Sequence, residues 1–415
     1  MLNQFFDSPL QVQALPNGPS AALIEGFAHE LREAGYAEST SRKYVRAAGH
    51  FVYWTNKEGI PVGSFNERVL SRFNDHLSQC QCPGYGHCQR LDLSCGVRSF
   101  VGYVCSAGVG VARAAEPGAQ DPVLLAAFYK WMREHRGTAD LTLYHYSNSI
   151  RDLLKRFGED PGRLDAQGLR QFVLERNQKR GRSVVKMCTT ALRMFLRFLI
   201  AEGKCATGLD AAIPVVANWS LSSLPRYLQA EEVERVIAAC DSASPVGRRD
   251  RAILLLLARL ALRASDIVQL RLGDIDWKGA WISVSGKSRR EMRLPLTQEV
   301  GQAIVDYLQD GRPPSATDAV FVRSRAPFRA FANHCAVSII VAQAMRRAGV
   351  ACPSRGAAHV LRHSVATSML RQGASLQDIA VILRHRSIET TQIYAKVDVT
   401  ALQRIAQPWP EMQPC

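Results

Sequence analysis

The chain has 415 residues, of which 47% are hydrophobic, so it can hold two or three domains with real cores. Lysine and arginine total 52 against 37 acidic residues, and the net charge of +15 is spread over the whole length. That reads as a nucleic-acid signal, with a soluble basic protein lacking any polyanion partner as the plainer alternative. A membrane protein is excluded at this level, because the longest apolar run, Ala252–Ala258, stops at Arg259, far short of the ~20 residues a span needs.

In chain order, residues 1–18 read as a tail. MLNQFFDSPLQ has no basic region followed by an apolar stretch, so no signal peptide is expected, and the protein is placed in the cytoplasm with its 11 cysteines mostly as reduced thiols. Residues 19–106 form a first helical block and 107–121 a Gly- and Ala-rich linker. Residues 122–212 form a second helical block, followed by a linker over 213–225 and a third block over 226–415. The first two blocks read as copies of one unit: Phe27 lines up with Phe128, Tyr44 with Tyr146, and VLSRFNDHL (69–77) with GLRQFVLER (168–176). Both carry the apolar spacing of surface helices, which two unrelated bundles would also show.

Within the first block, Cys80, Cys82, Cys88 and Cys95 stand near His76 and His87 in a loop-like, thiol-dense segment. They are candidate zinc ligands, although C-x-C is a less usual spacing than C-x(2–4)-C and reduced structural thiols are the simpler reading. Arg42, Lys43 and Arg46 are candidates for phosphate contact. The second block carries a basic segment, Asn177–Lys186, ahead of an apolar helix over Ala191–Ile200. In the third block the spacing predicts helices over Leu228–Cys240 and Arg248–Leu262. Strands follow over Trp281–Ser285 and Arg293–Leu296 around a polar turn, and helices resume from Ala330. Ser375 and Asp378 make a capping box, so that helix should end just before His385.

The chemistry lies in an ordered series. Arg263 closes an apolar helix and offers a planar guanidinium fork. By itself it reads as a helix-end arginine capping carbonyls or pairing with Asp266. Lys287 sits at the tip of the hairpin among Arg289, Arg290 and Arg293, where any of them could simply touch a nucleic-acid backbone. His359 and Arg362 are three apart and so fall on one side of a helix. His363 and Arg371 read as packing or surface residues. His385 and then Tyr394 complete the set, and a tyrosine met alone would be a half-buried aromatic.

Taken together, Arg263, Lys287, His359, Arg362, His385 and Tyr394 in this order resemble the tyrosine recombinase (phage integrase) family, over residues 122–415. Two positions depart from its pattern: Arg384 replaces the usual glycine before the second histidine, and Leu260-Ala261 replaces Thr-Gly. The resemblance implies a mainly helical fold with a small antiparallel hairpin or sheet in the catalytic domain. Two helical N-terminal DNA-binding domains would precede an α+β integrase-type catalytic domain, with residues 122–212 as a core-binding domain and 19–106 as a second such unit. It implies a nucleoid-associated recombinase that cuts and rejoins double-stranded DNA through a covalent 3′-phosphotyrosyl link at Tyr394, with no cofactor. The partner would be a homo-tetramer on two duplexes, with related recombinases as further members, in the service of a mobile element. A type IB topoisomerase, a catalytically silent DNA-binding accessory protein and a zinc-dependent DNA-binding module remain the alternatives.

Overall fold

Each helix of the first block buries an apolar stripe in one shared core. In the computed structural model, which describes residues 5–6, 19–85, 90–109, 121–215, 224–285, 291–385 and 387–406, this block holds α1 (Pro19–Glu33), α2 (Glu38–Lys57), α3 (Glu67–His76) and α4 (Arg90–Ser106). Asn66 starts α3 by accepting the Val69 amide proton at 3.1 Å, which satisfies a backbone donor that the first turn leaves unpaired. The helices close on an aromatic core. Phe27 meets Phe100 edge to face at 5.3 Å, and Phe51 meets Phe65 at 4.9 Å and Phe73 at 5.2 Å.

The second block repeats the rhythm with α5 (Val123–Arg136), α6 (Asp140–Phe157), α7 (Ala166–Lys179) and α8 (Arg182–Ala201). In both blocks a short 3₁₀ turn precedes the third helix, at Val62–Ser64 and at Pro161–Arg163. Asp165 caps α7 by accepting from the Gly168 amide at 2.8 Å, as Asn66 caps α3. Phe128 packs on Phe195 and Phe198, with ring centroids 5.6 and 5.8 Å apart. In each block the second and fourth helices pack on one another, and the first packs on both.

By packing, the chain divides into two compact units, residues 111–220 and residues 1–110 with 221–415. The first helical block and the C-terminal block therefore share a unit while keeping separate hydrophobic cores. At Gly35 (φ 78) a side chain would run into the Phe328 ring, its Cβ only 2.4 Å from the nearest ring carbon, so the close approach there depends on glycine.

The C-terminal block is built on α10 (Pro245–Arg259), whose residues Ala252–Ala258 are all buried. Its expected span, Arg248–Leu262, is shifted. Ser244 caps the helix three residues earlier than expected, accepting from the Gly247 amide at 3.0 Å, with Pro245 in the first turn. The helix stops at Arg259 because Ala261 takes a left-handed conformation, φ 49. Around α10 pack α9 (Ala230–Ala238), α12 (Gln298–Asp310), α13 (Cys335–Arg347) and α14 (Ala357–Arg371). Between α11 (Ala264–Gln269) and α12 lies a three-stranded antiparallel sheet, β1 (Ile275–Asp276), β2 (Trp281–Ser285) and β3 (Glu291–Pro295). Ile282 pairs with both Ile275 and Leu294, and these three side chains with Val284 make the buried face. The expected hairpin is present, and the two-residue β1 is an addition too short for a period-two pattern to reveal. After α14 come α15 (Leu376–Ile382), a 3₁₀ segment over Gln392–Val397, and α16 (Val399–Ile405). The fold is mainly helical with one small sheet, and no described helix is long and apolar enough to cross a membrane.

Leu256 lies fully buried on α10, whereas Val246 on the same helix is exposed. Leu256→Ala should destabilise the protein by about 2–5 kcal/mol, and Val246→Ala should stay within about 0.5 kcal/mol of the parent. Denaturant unfolding followed by circular dichroism checks both. Equal effects would mean α10 is not the buried axis of this core.

Candidate active site

Ala261 and Arg384 are two of the three non-glycine residues with positive φ among the described residues, at φ 49 and φ 53. They are also where the sequence departs from the glycines of the family pattern. Both lie at the turns that bring the expected site residues together. Arg263 does not close α10. It stands at the N-cap of α11, where its amide donates to Asp266 Oδ2 at 2.8 Å. Its guanidinium turns to the C-terminal end of α15 and donates through Nη2 to the Leu383 and Arg384 carbonyls, at 3.1 and 2.8 Å. Arg362, only 5% exposed on α14, donates to the Leu383 carbonyl through Nη2 and to the Ala261 carbonyl through Nη1. Arg384 folds back and pairs with Asp266, while its Nε and Nη1 are buried with no hydrogen-bond partner.

Three guanidinium groups thus converge around one carboxylate. Burial lowers the Arg362 pKa to about 9, with the neighbouring Arg263 and Arg384 charges adding to the effect. Arg263 is lowered too, by burial first and then by Arg384. A cluster that disfavours its own charge in this way is one that an incoming anion stabilises.

The turn after α15 presents His385, whose Nδ1 lies 2.8 Å from Thr391 Oγ1. The capping box at Ser375 and Asp378 is present, and α15 ends at Ile382, as its sequence predicts. Tyr394 stands in the 3₁₀ segment and is 1% exposed. Its hydroxyl lies 2.7 Å from Nδ1 of His363. Reading His363 as packing or surface therefore misses a direct partner of the tyrosine. The signal available in the sequence was its place one helical turn after His359, and their rings are 6.3 Å apart. His359, three residues before Arg362 on α14, is exposed while Arg362 is buried. Arg371 clasps Gln229 and Tyr227 at 2.7 Å each. Lys287, with Arg289 and Arg290, lies outside the described residues, and Arg293 is on β3.

Burial lifts the Tyr394 pKa to about 12 against an opposing pull from Arg362, so it is a neutral phenol near pH 7. His363 is lowered to about 4 by burial, then by His359 and Arg362. His385 is lowered to about 4 by burial, then by Arg362 and Arg263. Both imidazoles are neutral near pH 7, and each can accept a proton through one ring nitrogen.

Of the thiol segment, Cys80 and Cys82 lie with His50 and His76, whereas Cys95 is exposed on α4 outside that cluster, and Cys88 and His87 fall outside the described residues. Of the basic residues of α2, Arg42 pairs with Glu38 at 3.1 Å and Arg46 donates to the Phe5 carbonyl at 2.8 Å.

Residues 226–400 match the model of the phage integrase family. An inferred integrase/recombinase of Sinorhizobium fredii, y4rA, is 36% identical over 417 aligned residues, covering 99% of each chain. The chain belongs to the tyrosine recombinase (phage integrase) family. This recombinase is therefore an enzyme that cleaves and rejoins DNA. It is also 30% identical to the tyrosine recombinase XerD of Lacticaseibacillus casei, over 65% of this chain and 92% of that one. In fold it is similar to the XerH site-specific recombinase bound to a palindromic difH substrate, with TM-score 0.56 and 17% identity over 82% of this chain and 95% of that one. It is also similar to a lambda integrase dimer bound to a core site, with TM-score 0.52 and 16% identity over 70% and 98% of the two chains.

The two depressed histidines tie the stability of the recombinase to pH. Their folded pKa values lie near 4 and the unfolded value is 6.5. Below pH 6.5 the unfolded chain therefore binds protons that the folded chain refuses. This contribution is fully present above pH 6.5 and is lost as pH falls toward 4. The melting temperature should drop between pH 7 and pH 5, and His363→Gln should make that drop shallower. A variant with an unchanged slope would show that His363 titrates as in the unfolded chain.

Proposed function

We propose that Tyr394 is the nucleophile of this recombinase and that it forms a covalent 3′-phosphotyrosyl link with DNA. The observation that supports this most directly is the 2.7 Å contact between the Tyr394 hydroxyl and Nδ1 of His363, with Arg362 close enough to draw down the phenol pKa. In the step proposed, the phenol oxygen attacks the phosphorus, its proton passes to a neutral histidine, and the bond from phosphorus to the 5′ oxygen breaks. Arg263 and Arg362 stabilise the charge building on the non-bridging oxygens. Lys287 supplies the proton to the leaving 5′ oxygen. His359 and His385 position the phosphate, and His363 holds the phenol. The link conserves the energy of the phosphodiester, so a free 5′-hydroxyl from a second duplex reverses the step without ATP.

Residues 226–415 are then the catalytic domain, and residues 122–212 a core-binding domain that grips DNA. Arg180, Arg182 and Lys186 support that grip, because all three are exposed where α8 begins. The matching order of helices and caps in the first block supports residues 19–106 as a second unit of the same kind. A homo-tetramer on two duplexes, acting in integration or transposition of a mobile element, completes the reading. The exposed apolar side chains of α16, Ile405 above all, suit packing against a neighbour.

On a nicked suicide substrate, Tyr394→Phe should abolish covalent adduct and leave DNA binding nearly unchanged. Arg263→Ala and Arg362→Ala should slow adduct formation on the order of 100–1,000-fold with a much smaller loss of binding. Adduct from the Phe variant would assign the nucleophile elsewhere, and equal losses of binding and cleavage would make the arginines DNA grips.

Replacing Arg182 and Lys186 with alanine should weaken binding to all duplexes alike. It should also flatten the dependence of log affinity on log salt by about 1 for each phosphate no longer neutralised. An unchanged salt slope would remove α8 from the interface.

A further inference from the structure

The first helical block holds a cluster of soft donors that the recombination chemistry does not use. His50 on α2, His76 at the end of α3, and Cys80 and Cys82 just beyond it each offer one ligand atom, and these atoms all lie within 4.8 Å of one another. Nε2 of His50 is 3.3 Å from Cys80 Sγ, and Nε2 of His76 is 3.4 Å from Cys82 Sγ. A tetrahedral zinc ion, with Zn–S of about 2.3 Å and Zn–N of about 2.0–2.1 Å, sets its sulfur and nitrogen ligands about 3.5 Å apart. The observed pairs sit close to that edge length. The geometry points to a structural zinc(II) ion held by His50, His76, Cys80 and Cys82.

The surroundings fit a closed metal centre. Four protein ligands fill a tetrahedron and leave no position for water or substrate, so the site is structural. Its donors are all sulfur and imidazole nitrogen, which suits zinc and not the oxygen-seeking cations. Aromatic rings fix both imidazoles: Tyr85 stacks on His50 at 4.5 Å and 9°, Trp54 lies over His76 at 5.6 Å, and Phe73 meets His50 edge-on at 5.1 Å. The Cys82 amide donates to Cys80 Sγ at 3.4 Å, a contact that strengthens when the sulfur is a thiolate.

The competing arrangement is two thiol-to-imidazole hydrogen bonds with no metal. Burial and Cys80 raise the Cys82 thiol to about 11, so without a cation it stays protonated. Zinc reverses this. Both thiols release their protons to solvent as the two Zn–S bonds form, and the two thiolate charges neutralise the ion. The centre would then tie α2, α3 and the turn after α3 at one point.

The full-length chain, purified without chelator, should carry about one zinc per protein by elemental mass spectrometry. Titrating its thiols with an organomercurial should release that zinc to a colorimetric indicator. His50→Gln and Cys82→Ser should lose the metal, and Cys95→Ser should keep it. Because a ligand variant can fail to fold, the wild-type content and its release by mercurial decide the question alone. Cobalt(II) exchanged into the wild type should give the visible spectrum of a tetrahedral, thiolate-bound ion. Folded wild type that stays free of zinc after incubation with zinc chloride, or zinc retained in Cys82→Ser, overturns the assignment.

Discussion

The Leu383 carbonyl organises the candidate active site. It lies at the end of α15, where the helix leaves its last carbonyls unpaired and its dipole is negative. Two guanidinium groups, from Arg263 and Arg362, donate to it. Those arginines are far apart in sequence and belong to different helices. One acceptor therefore sets the relation between the start of α11, the middle of α14 and the turn that carries His385. Gathering like charges is costly in a buried setting, and Asp266 is the carboxylate that offsets part of it. The arrangement holds cations where a phosphate would relieve them, and it does so with backbone groups that no side-chain substitution removes.

Much of this was readable in advance. The capping box at Ser375 and Asp378 fixed the start of α15, because a cap is a local event between residues three apart. The hairpin was visible because β2 alternates cleanly between a buried and an exposed face. The family resemblance picked out the ordered residues, but their geometry needed contacts across the chain. Arg263 looked like the end of α10 because the apolar run continues to Leu262. The helix breaks earlier, since Ala261 adopts a left-handed conformation that its residue type gives no hint of. His363 could not be ranked above its neighbours, because its partner is thirty-one residues away and joins it only when α14 meets the 3₁₀ segment. His50 was invisible as a ligand for the same reason: thirty residues separate it from Cys80, and only the packing of α2 brings them together.

The two N-terminal blocks solve one packing problem with different chemistry. In the second block, α6 and α7 are joined by ion pairs, Asp152 with Arg176 at 2.7 Å and Glu175 with Arg156. In the first block the corresponding helices, α2 and α3, meet through His50 and His76 beside two thiols, with one exposed ion pair added between Glu58 at the end of α2 and Arg72 on α3 at 3.3 Å. Ion pairs at a partly exposed seam weaken as salt rises. A seam of imidazole and sulfur does not depend on ionic strength in that way. The two blocks can thus share a plan of helices and caps and still answer differently to their surroundings.

For Tyr394 as the proposed nucleophile, burial has a consequence for the timing of strand breakage. A phenol with 1% of its surface exposed cannot approach a phosphorus atom held on a duplex. The segment over Gln392–Val397 must first swing its ring out of a pocket lined by Ala261, Leu383 and Val397. That movement also breaks the bond to His363, so the resting protein behaves like a weapon with its safety engaged. On that proposal, a chance encounter with DNA leaves both strands whole unless the segment over Gln392–Val397 moves.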